Sequence, residues 1–391
     1  MKKNIYSILF ILSLFLLSSC VSANKESWFQ NAVETASAQL TQQVEEMGDK
    51  VGFPRSIRAD TLRLDNIYDW TSGFFPGSLW YMYELTENNF FKDEASKFTG
   101  YLHDIRYYKG THDLGFMIYC SYGNELRLTG DTTTVPVMIQ TADNLISRFN
   151  DVTQTIRSWD FGEWQYPVII DNMMNLELLF WASEYTNDPK YKDIAVRHAN
   201  TTLEHHFRDD MSSYHVINYD TITGNVISKG TFQGYSDESH WARGQAWGLY
   251  GYTVCYRYTK DEKYLKAAEE IARFIMDNVQ TDDLIPYWDY MAPDIPDAPR
   301  DASAAAITCS ALLELSKYTA QHGTAYYNYA ETILKNLSGE KYLAKTGDNF
   351  GFVLMHSVGH LPANSEIDTP INYTDYYYLE SLKRYKAYHT K

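Results

Sequence analysis

Residues 246–275 read AWGLYGYTVCYRYTKDEKYLKAAEEIARFI, and this stretch decides the fold. Its first part, Ala246 to Tyr256, is apolar all round, which is typical of a helix that is buried on every side. Beyond Tyr258-Thr259 the pattern changes to a single apolar stripe, in which Leu265, Ala268, Ala272 and Ile275 are spaced 3-4-3. The stretch predicts a hairpin that joins one fully buried helix to one helix with a single buried face.

The same hairpin recurs along the chain, marked by a Leu-Thr or Tyr-Thr pair at the end of an apolar segment. The pairs are Leu85-Thr86, Leu128-Thr129, Tyr185-Thr186, Tyr258-Thr259 and Tyr318-Thr319. The apolar segments cover residues 79–83, 116–119, 173–182, 246–256 and 302–315, and a sixth, 376–382, closes the chain. Segments with one apolar stripe cover residues 33–47, 95–105, 132–149, 190–207, 265–275 and 326–337. Six one-sided helices therefore alternate with six buried ones.

This alternation favours a closed ring of helices. The buried helices would form the inside and the striped helices the outside of an (α/α)6 barrel, an all-α fold, with residues 28–391 as a single domain. The alternative is an open solenoid of helical hairpins, which would expose apolar faces at both ends unless polar capping repeats covered them. The sequence shows no such capping repeat.

The first residues carry the pattern of an export signal. Two lysines precede the mostly apolar run Ile5 to Leu17, which is too short to span a bilayer as a helix. The run ends in Leu17-Ser18-Ser19-Cys20, which resembles the cleavage box of bacterial lipoproteins. We expect residues 1–20 to be a lipoprotein signal peptide, with Cys20 lipidated and residues 21–27 as a tether. The protein would then be exported to the periplasm or the cell surface; an ordinary signal peptide is the alternative.

Composition and charge narrow the range of functions. The chain has 34 Lys+Arg against 50 Asp+Glu, a net charge of −16, which opposes nucleic-acid binding. Four cysteines in 391 residues do not form a disulfide scaffold, and we expect Cys120, Cys255 and Cys309 to be buried free thiols. His205-His206 resemble a metal pair, but no further ligand motif accompanies them. Neither a metal nor a cofactor is therefore expected.

Polar and aromatic residues precede the predicted inner helices. Because the inner helices of such a barrel run in one direction, their N-termini share one mouth. The residues there are Asp69-Trp70, His112-Asp113, Asp171-Asn172, Ser239-His240-Trp241 with Arg243, Arg300-Asp301, and Tyr373 with Asp375. Asp and Ser are also common helix caps, but caps do not need Trp or Arg, which indicate a ligand site. Aromatic faces and carboxylates suit a carbohydrate, and the free N–H groups of helix N-termini suit an anionic one.

Asp113 and Asp171 are the candidate acid–base groups of this mouth. Helix N-termini lower the pKa of a nearby carboxyl, whereas burial among aromatic rings and a second carboxylate raise it. We therefore expect the two carboxyls to be neighbours in an aromatic-lined pocket, where they share protons as a coupled pair.

Seven stretches give the sequence a family resemblance. They are Trp70–Gly77, His112–Phe116, Asp171–Leu176, Gln233–Ser236, Trp241–Trp247, Tyr287–Asp289 and Tyr373–Tyr377. In their order along the chain they resemble the unsaturated glucuronyl hydrolases, glycoside hydrolase family 88. The resemblance implies an (α/α)6 barrel. It also implies substrates made by polysaccharide lyases, in which the non-reducing uronic acid carries a C4=C5 double bond.

The same resemblance implies roles for residues at the mouth. Asp171 resembles the general acid/base, which protonates C4 so that water adds at C5, and Asp113 resembles the second essential carboxylate. Trp70 and Trp241 would flank the sugar ring. The uronate carboxylate and hydroxyls would be bound by His112, His215, Gln233 and Arg243, with Tyr373 as a candidate placed by its rim position.

The expected ligands are unsaturated fragments of chondroitin, hyaluronan or heparin, and the sequence does not select among them. Three other functions stay open. One is an unsaturated rhamnogalacturonyl hydrolase acting on pectin fragments, although Arg243 and His112-Asp113 favour the glucuronyl group. A conventional inverting glycosidase would need carboxyls roughly 6.5–9.5 Å apart. The third is a non-catalytic surface lipoprotein that binds glycans.

Overall fold

The computed structural model describes residues 27–389, and within that range twelve α-helices alternate between an inner and an outer ring. The inner helices are α2 (Phe74–Thr86), α4 (Asn124–Thr129), α6 (Asn172–Thr186), α8 (Ala242–Thr259), α10 (Ala302–Leu315) and α12 (Asn372–His389). The outer helices are α1 (27–47), α3 (Asn89–Tyr101), α5 (Val135–Ile146), α7 (Pro189–His205), α9 (Glu262–Asn278) and α11 (Gly323–Leu337).

Packing between neighbours closes the inner ring. α2 packs against α12, and α12, α10, α8 and α6 follow one another around the ring. A π-helical segment, Gly115–Gly123, leads into α4 and packs between α2 and α6. The ring formed by the described residues is therefore closed. This confirms the predicted (α/α)6 barrel and excludes the solenoid.

Burial separates the two rings as the sequence pattern predicts. Every residue of α10, from Ala302 to Leu315, is buried, which explains why its sequence is apolar on all sides. α9 instead buries one stripe, including Ala268 and Ile275, and exposes its other face. Burial of these apolar surfaces is the main force that holds the two rings together.

In four of the five hairpins, the threonine of the repeated pair makes hydrogen bonds at the turn between the two helices. Its hydroxyl donates to the carbonyl four residues earlier and accepts the N–H two residues later, at Thr86, Thr129, Thr186 and Thr259. The next residue is left-handed, which ends the inner helix. An Asn or Asp side chain then caps the following helical segment. The fifth pair differs, because α10 ends at Leu315, ahead of Tyr318-Thr319.

One inner segment is not the α-helix that the sequence predicts. Residues Gly115–Gly123 form a π-helix, directly after His112-Asp113. Asn175 of α6 accepts the N–H of Phe116 at 3.0 Å. A Cβ atom at Gly115 would lie only 2.7 Å from the Asn175 Cα atom, so this position requires glycine. π-Helical turns within α-helices frequently occur at functional sites.

Short antiparallel strands, which the sequence analysis did not predict, surround one mouth of the barrel. The pairs are β1 (Phe53–Arg58) with β2 (Thr61–Asp65), β3 (Phe149–Asn150) with β4 (Thr155–Ile156), and β8 (Ser357–His360) with β9 (Ser365–Thr369). A three-stranded sheet has the order β5 (Pro167–Ile169), β6 (Val216–Tyr219), β7 (Val226–Gly230). All these strands belong to connections from an outer helix to the next inner helix. They therefore lie at the mouth where the inner helices begin.

An ionic network ties the opposite end of the inner ring. Arg257 on α8 binds Glu177 on α6 and, at 2.6 Å, Glu314 on α10. Arg384 on α12 lies 2.9 Å from Glu314 and 3.1 Å from Glu380. These side chains line a cavity of about 590 Å³. The arginines complement the negative ends of the helix dipoles, and the network links four inner helices.

The predicted leader with Cys20, and all of the tether except Ser27, lie outside the described residues. Ser27, predicted as the last tether residue, is instead the first residue of α1. Between residues 27 and 389, no helix is long and apolar enough to cross a membrane. The three cysteines in that range are buried free thiols, as predicted: Cys120, Cys255 and Cys309.

Candidate active site

A cavity of about 450 Å³ opens at the mouth where the inner helices begin. Seven of the predicted site and mouth residues line it: Asp69, Trp70, His112, Asp113, Asp171, Gln233 and Tyr373. They come from four connections between outer and inner helices and from the first turn of α12. The closed barrel therefore brings together side chains that are distant in sequence.

Each of the two predicted catalytic aspartates has a histidine neighbour. His112 Nε2 lies 3.2 Å from Asp113 Oδ1, and His215 Nε2 lies 3.5 Å from Asp171 Oδ2. Thr111 donates its hydroxyl to Asp113 at 2.7 Å. The Asp171 side chain makes no capping hydrogen bond to α6, so the alternative of a simple helix cap does not explain it.

The surroundings shift the pKa values of the two carboxyls in opposite directions. Burial raises the pKa of Asp113, and the charge of His112 and the hydrogen bond from Thr111 offset only part of this rise. Burial also acts to raise the pKa of Asp171, but the hydrogen bond from His215, with the charges of His112 and Arg243, lowers it below its usual range. The Asp171 charge contributes to the raised pKa of Asp113, as expected for neighbours. The pKa values of these two carboxyls are therefore shifted apart.

Hydrogen bonds fix the orientation of His215. Its Nδ1 accepts the backbone N–H groups of Phe232 and Gln233, both at 3.1 Å. An accepting Nδ1 carries no proton, so the ring proton lies on Nε2, which faces Asp171. Within the described chain, His215 Nε2 and Asp171 Oδ2 are buried and have no other hydrogen-bond partner. His215 therefore directs its Nε2–H at Asp171, and of the two residues it is Asp171 that lines the cavity.

Aromatic rings form two walls of the cavity. Trp70 stacks on Tyr373 with centroids 5.1 Å apart and an interplanar angle of 30°. Another wall contains Trp159 stacked on Phe161, with Phe232 beside them. The Tyr373 hydroxyl and the Trp159 Nε1 are buried without a partner among the described residues. Unpaired polar atoms between aromatic faces suit a hydroxylated ring as ligand.

Arg243 and Trp241 lie behind the cavity wall. The Arg243 guanidinium is 1% exposed and binds Asp301 at 3.2 Å and the carbonyl oxygens of Val358 and Gly359. Its central carbon lies 4.5 Å from the centroid of the Trp241 ring, and that ring also supports His215. Arg243 thus holds β8 against the barrel. Its Nε has no partner among the described residues, but Arg243 does not line the cavity in which it was predicted to bind a uronate.

Several other polar residues of the predicted mouth do not line the cavity and bind other parts of the protein instead. Asp301 accepts the N–H of Ser303 and is a helix cap, as the alternative interpretation proposed. Asp375 accepts two backbone N–H groups of the segment that precedes β8. Arg300 binds an aspartate in its own connection at 2.8 Å, and His240 contacts an arginine at 3.3 Å.

His205 and His206, which resemble a metal pair in the sequence, contact different hydrogen-bond partners. His205 Nδ1 lies 3.0 Å from the Tyr219 hydroxyl, and His206 Nε2 lies 3.0 Å from the Val168 carbonyl oxygen. In the described range, no group of three or more His, Cys, Asp or Glu side chains is arranged to hold a metal ion.

Sequence reasoning missed most of the residues that the strands contribute to the cavity. Arg55 and Arg63 come from β1 and β2, and Ser365 and Glu366 from β9. Further lining residues are Tyr68, Tyr108, Trp159, Phe161, Phe232 and His360. Two signals were present: alternating side chains in residues 53–65, and three aromatic residues within positions 159–164.

Comparisons with known proteins agree with this fold. No family model matches the chain. The unsaturated glucuronyl hydrolase of Formosa agariphila is 47% identical over 395 residues, which cover 98% of each chain. The unsaturated chondroitin disaccharide hydrolase of Streptococcus agalactiae is 34% identical over 91% of each chain.

Solved structures give the same result. A crystal structure of an unsaturated glucuronyl hydrolase specific for heparin has a TM-score of 0.91 and 52% identity, covering 94% of this chain and 99% of that one. The unsaturated glucuronyl hydrolase of Bacillus sp. GL1 has a TM-score of 0.87 and 31% identity, covering 92% and 97% of the two chains. With this similarity along nearly its whole length, the chain belongs to the unsaturated glucuronyl hydrolase family and is a glycosidase.

Proposed function

We propose that this protein removes the 4,5-unsaturated uronic acid from the non-reducing end of lyase-generated glycosaminoglycan oligosaccharides. The reaction would protonate C4 and hydrate the C4=C5 enol ether. The observation that carries this proposal is the pair Asp113 and Asp171, two carboxyls with opposite pKa shifts in one aromatic-lined cavity. Membership of the family supplies the class of substrate.

The chemistry needs one proton and one water molecule. The enol ether takes a proton at C4, and positive charge develops at C5 and the ring oxygen. Water then adds at C5 and loses its proton to a carboxylate, after which the hemiketal opens and releases the leaving sugar. One carboxyl can donate the proton and then, as the carboxylate, activate the water.

We assign this acid–base role to Asp171 and a supporting role to Asp113. The Nε2–H of His215 stabilises the Asp171 carboxylate that must later accept a proton from water. To act first as an acid, Asp171 needs a proton, and the raised pKa of Asp113 makes protonation of the pair easier than for two free carboxyls. An anionic uronate beside Asp171 raises the pKa of Asp171 by charge repulsion and draws the shared proton towards it.

The remaining residues of the site would bind and position the sugar. Trp70 stacked on Tyr373 offers an aromatic face, and the unpaired Tyr373 hydroxyl and Trp159 Nε1 offer hydrogen bonds. His112 holds Asp113. Trp241 and Arg243 act from behind the wall, by supporting His215 and β8.

The test follows the ultraviolet absorbance of the double bond in lyase-generated disaccharides. The wild-type protein should remove this absorbance, Asp171→Asn should abolish the loss, and Asp113→Asn should slow it by at least ~10²-fold. Asp368→Asn is a matched control, because it removes the same charge from an exposed carboxyl outside the cavity. Reaction in D2O should leave one deuterium at C4.

Three outcomes would count against the proposal in different ways. Near-normal turnover by Asp171→Asn would remove its catalytic assignment. Release of the leaving sugar with the double bond intact would indicate a conventional glycosidase. Binding without release would indicate a glycan-binding protein.

Fragments of chondroitin, hyaluronan and heparin are the proposed substrates. Relatives are described as specific for heparin and as hydrolases of chondroitin disaccharides. A panel of unsaturated disaccharides that differ in the leaving sugar and in its linkage would identify the preferred leaving sugar. Turnover of unsaturated pectin fragments in preference to this panel would contradict the assignment.

We also propose that the protein is exported as a lipoprotein anchored through Cys20. The support is the sequence Leu17-Ser18-Ser19-Cys20 after an apolar run. Cells that express the full chain should incorporate a labelled fatty acid into the protein, and Cys20→Ser should abolish this. Equal labelling of the Cys20→Ser variant would refute the anchor.

A further inference from the structure

Five charged side chains form a compact group on one wall of the active-site cavity, which we name the rim cluster. Its members are Arg55, Arg63, Asp65, Asp69 and Glu366, and all except Asp65 line the cavity. They are carried by β1, β2, the connection to α2, and β9. The rim cluster contains two cationic and three acidic groups.

Glu366 is the centre of the rim cluster. Its Oε1 accepts from Arg55 Nε at 2.7 Å and from Arg63 Nη1 at 3.0 Å, and its Oε2 accepts from Arg55 Nη2 at 3.0 Å. Burial acts to raise the pKa of Glu366, but hydrogen bonding and charge from the two arginines lower it, so the carboxylate is ionised. The Ser56 hydroxyl donates a further bond at 3.1 Å.

The other two carboxylates, Asp69 and Asp65, bind arginine nitrogens that do not bind Glu366. Arg55 Nη1 donates to both oxygens of Asp69, at 2.8 and 2.7 Å, and Arg63 Nη2 lies 3.0 Å from Asp65. Among the described residues that line the cavity, Arg55 and Arg63 are the only arginines or lysines. The cavity wall therefore offers no cation that is not already paired with a carboxylate.

The rim cluster extends from the inner sugar site towards solvent. Arg55 lies 5.8 Å from the ring centroid of Trp70, and its side chain is 11% exposed. Arg63 is farther out, with 26% of its side chain exposed. In the proposed reaction the unsaturated sugar is terminal and enters first. The leaving sugar then lies on the solvent side, towards Arg63, to which the more buried Glu366 is bound.

We propose that Glu366 makes this enzyme select leaving sugars that carry no sulfate. A sulfate placed against the rim cluster would lose water without gaining a free cation, and would face an excess of carboxylates. The uronate carboxylate is common to all substrates, so it does not affect this comparison. A relative from Streptococcus agalactiae has been crystallised as a variant complexed with dGlcA-GalNAc6S, so this type of barrel can hold a sulfated leaving sugar.

This inference rests on the proposed function, and its test compares two unsaturated disaccharides that differ only in one sulfate on the leaving sugar. The wild-type kcat/KM should be at least ~10-fold lower for the sulfated disaccharide, on the scale of like-charge contacts. Glu366→Gln removes one negative charge and releases N–H groups of Arg63 and Arg55. This substitution should reduce the ratio of kcat/KM for the unsulfated disaccharide to kcat/KM for the sulfated one by about 5-fold or more. The reduction should come mainly from a lower KM for the sulfated disaccharide.

Asp368→Asn is the matched control for this substitution. Asp368 is on the same strand, its side chain is 59% exposed, and it does not line the cavity. The control removes the same charge from the protein, so the ratio of the two kcat/KM values should stay at its wild-type value.

Ionic strength gives a second measurement that needs no variant. Salt screens charge repulsion at the exposed end of the cluster, so the wild-type ratio should narrow as salt is raised, even if Glu366→Gln fails to fold. Equal or better turnover of the sulfated disaccharide by the wild type would overturn the inference. So would a ratio that neither Glu366→Gln nor salt changes. Failure of the unsulfated disaccharide to react would instead count against the proposed function.

Discussion

Replacing Arg243 by lysine distinguishes a residue that holds the cavity wall from one that binds the substrate. The guanidinium forks between Asp301 and the carbonyl oxygens of Val358 and Gly359. One ammonium group cannot occupy these positions at once, so we expect Arg243→Lys to lose two of the three bonds. At about 1.5 kcal/mol for each hydrogen bond to a charged group, the free energy of unfolding should fall by about 3 kcal/mol.

Urea unfolding measures this change, and steady-state kinetics on an unsaturated disaccharide shows its effect on the site. Because β8 carries Gly359 and His360 into the cavity wall, kcat should fall together with stability. Arg197→Lys is the control: Arg197 pairs with two exposed aspartates, and its loss should change stability by less than about 1 kcal/mol. Unchanged unfolding with a raised KM and an unchanged kcat would show that Arg243 binds the substrate, and would refute our reasoning.

Two further predictions concern pH and packing. Burial lowers the pKa of His206 to about 3. In the unfolded chain this imidazole takes up a proton near pH 6.5. The free energy of unfolding should therefore fall as the pH drops below 6.5, by about 2 kcal/mol at pH 5. His206→Gln should remove this part of the pH dependence in urea unfolding at pH 7.5 and 5, and equal dependence in both proteins would contradict it. A Cβ atom at Gly77 on α2 would lie 2.6 Å from the Cys120 carbonyl oxygen, so Gly77→Ala should destabilise by about 2 kcal/mol or more. Gly100→Ala, on α3 with nothing within 4 Å of the added atom, should instead stabilise slightly, and similar unfolding midpoints for the two variants would argue against close packing at Gly77.

The barrel was predictable because two features of the sequence repeat together: the periodicity of the apolar residues and the Leu-Thr or Tyr-Thr pair at each turn. The Leu/Tyr-Thr pairs are visible as a pattern, and the structure shows their cause, since Thr86 and its counterparts accept the N–H of the next helix cap. The π-helix at Gly115–Gly123 was not predictable, because its departure from α-geometry depends on contacts with Asn175 of another helix.

From the residue pattern alone, the candidate site was predictable only near the starts of inner helices, and the family resemblance added His215 and Gln233. Asp113 and Asp171 were found in this way, but the opposite shifts of their pKa values depend on His215, which a strand of a distant connection brings to Asp171. Arg243 looked like a free cation because its partners on β8 lie more than a hundred residues later. Chemistry that depends on long-range pairing is visible only once the strands are placed.

The ionic network of Glu177, Arg257, Glu314, Arg384 and Glu380 has a consequence for how such an enzyme can change. It fastens four inner helices at the end of the barrel farthest from the reacting sugar. The strand-bearing connections at the mouth can therefore exchange side chains and acquire new preferences while the inner helices keep their positions. Separating the anchorage from the recognition surface in this way allows one scaffold to diversify towards many acidic polysaccharides without losing its shape.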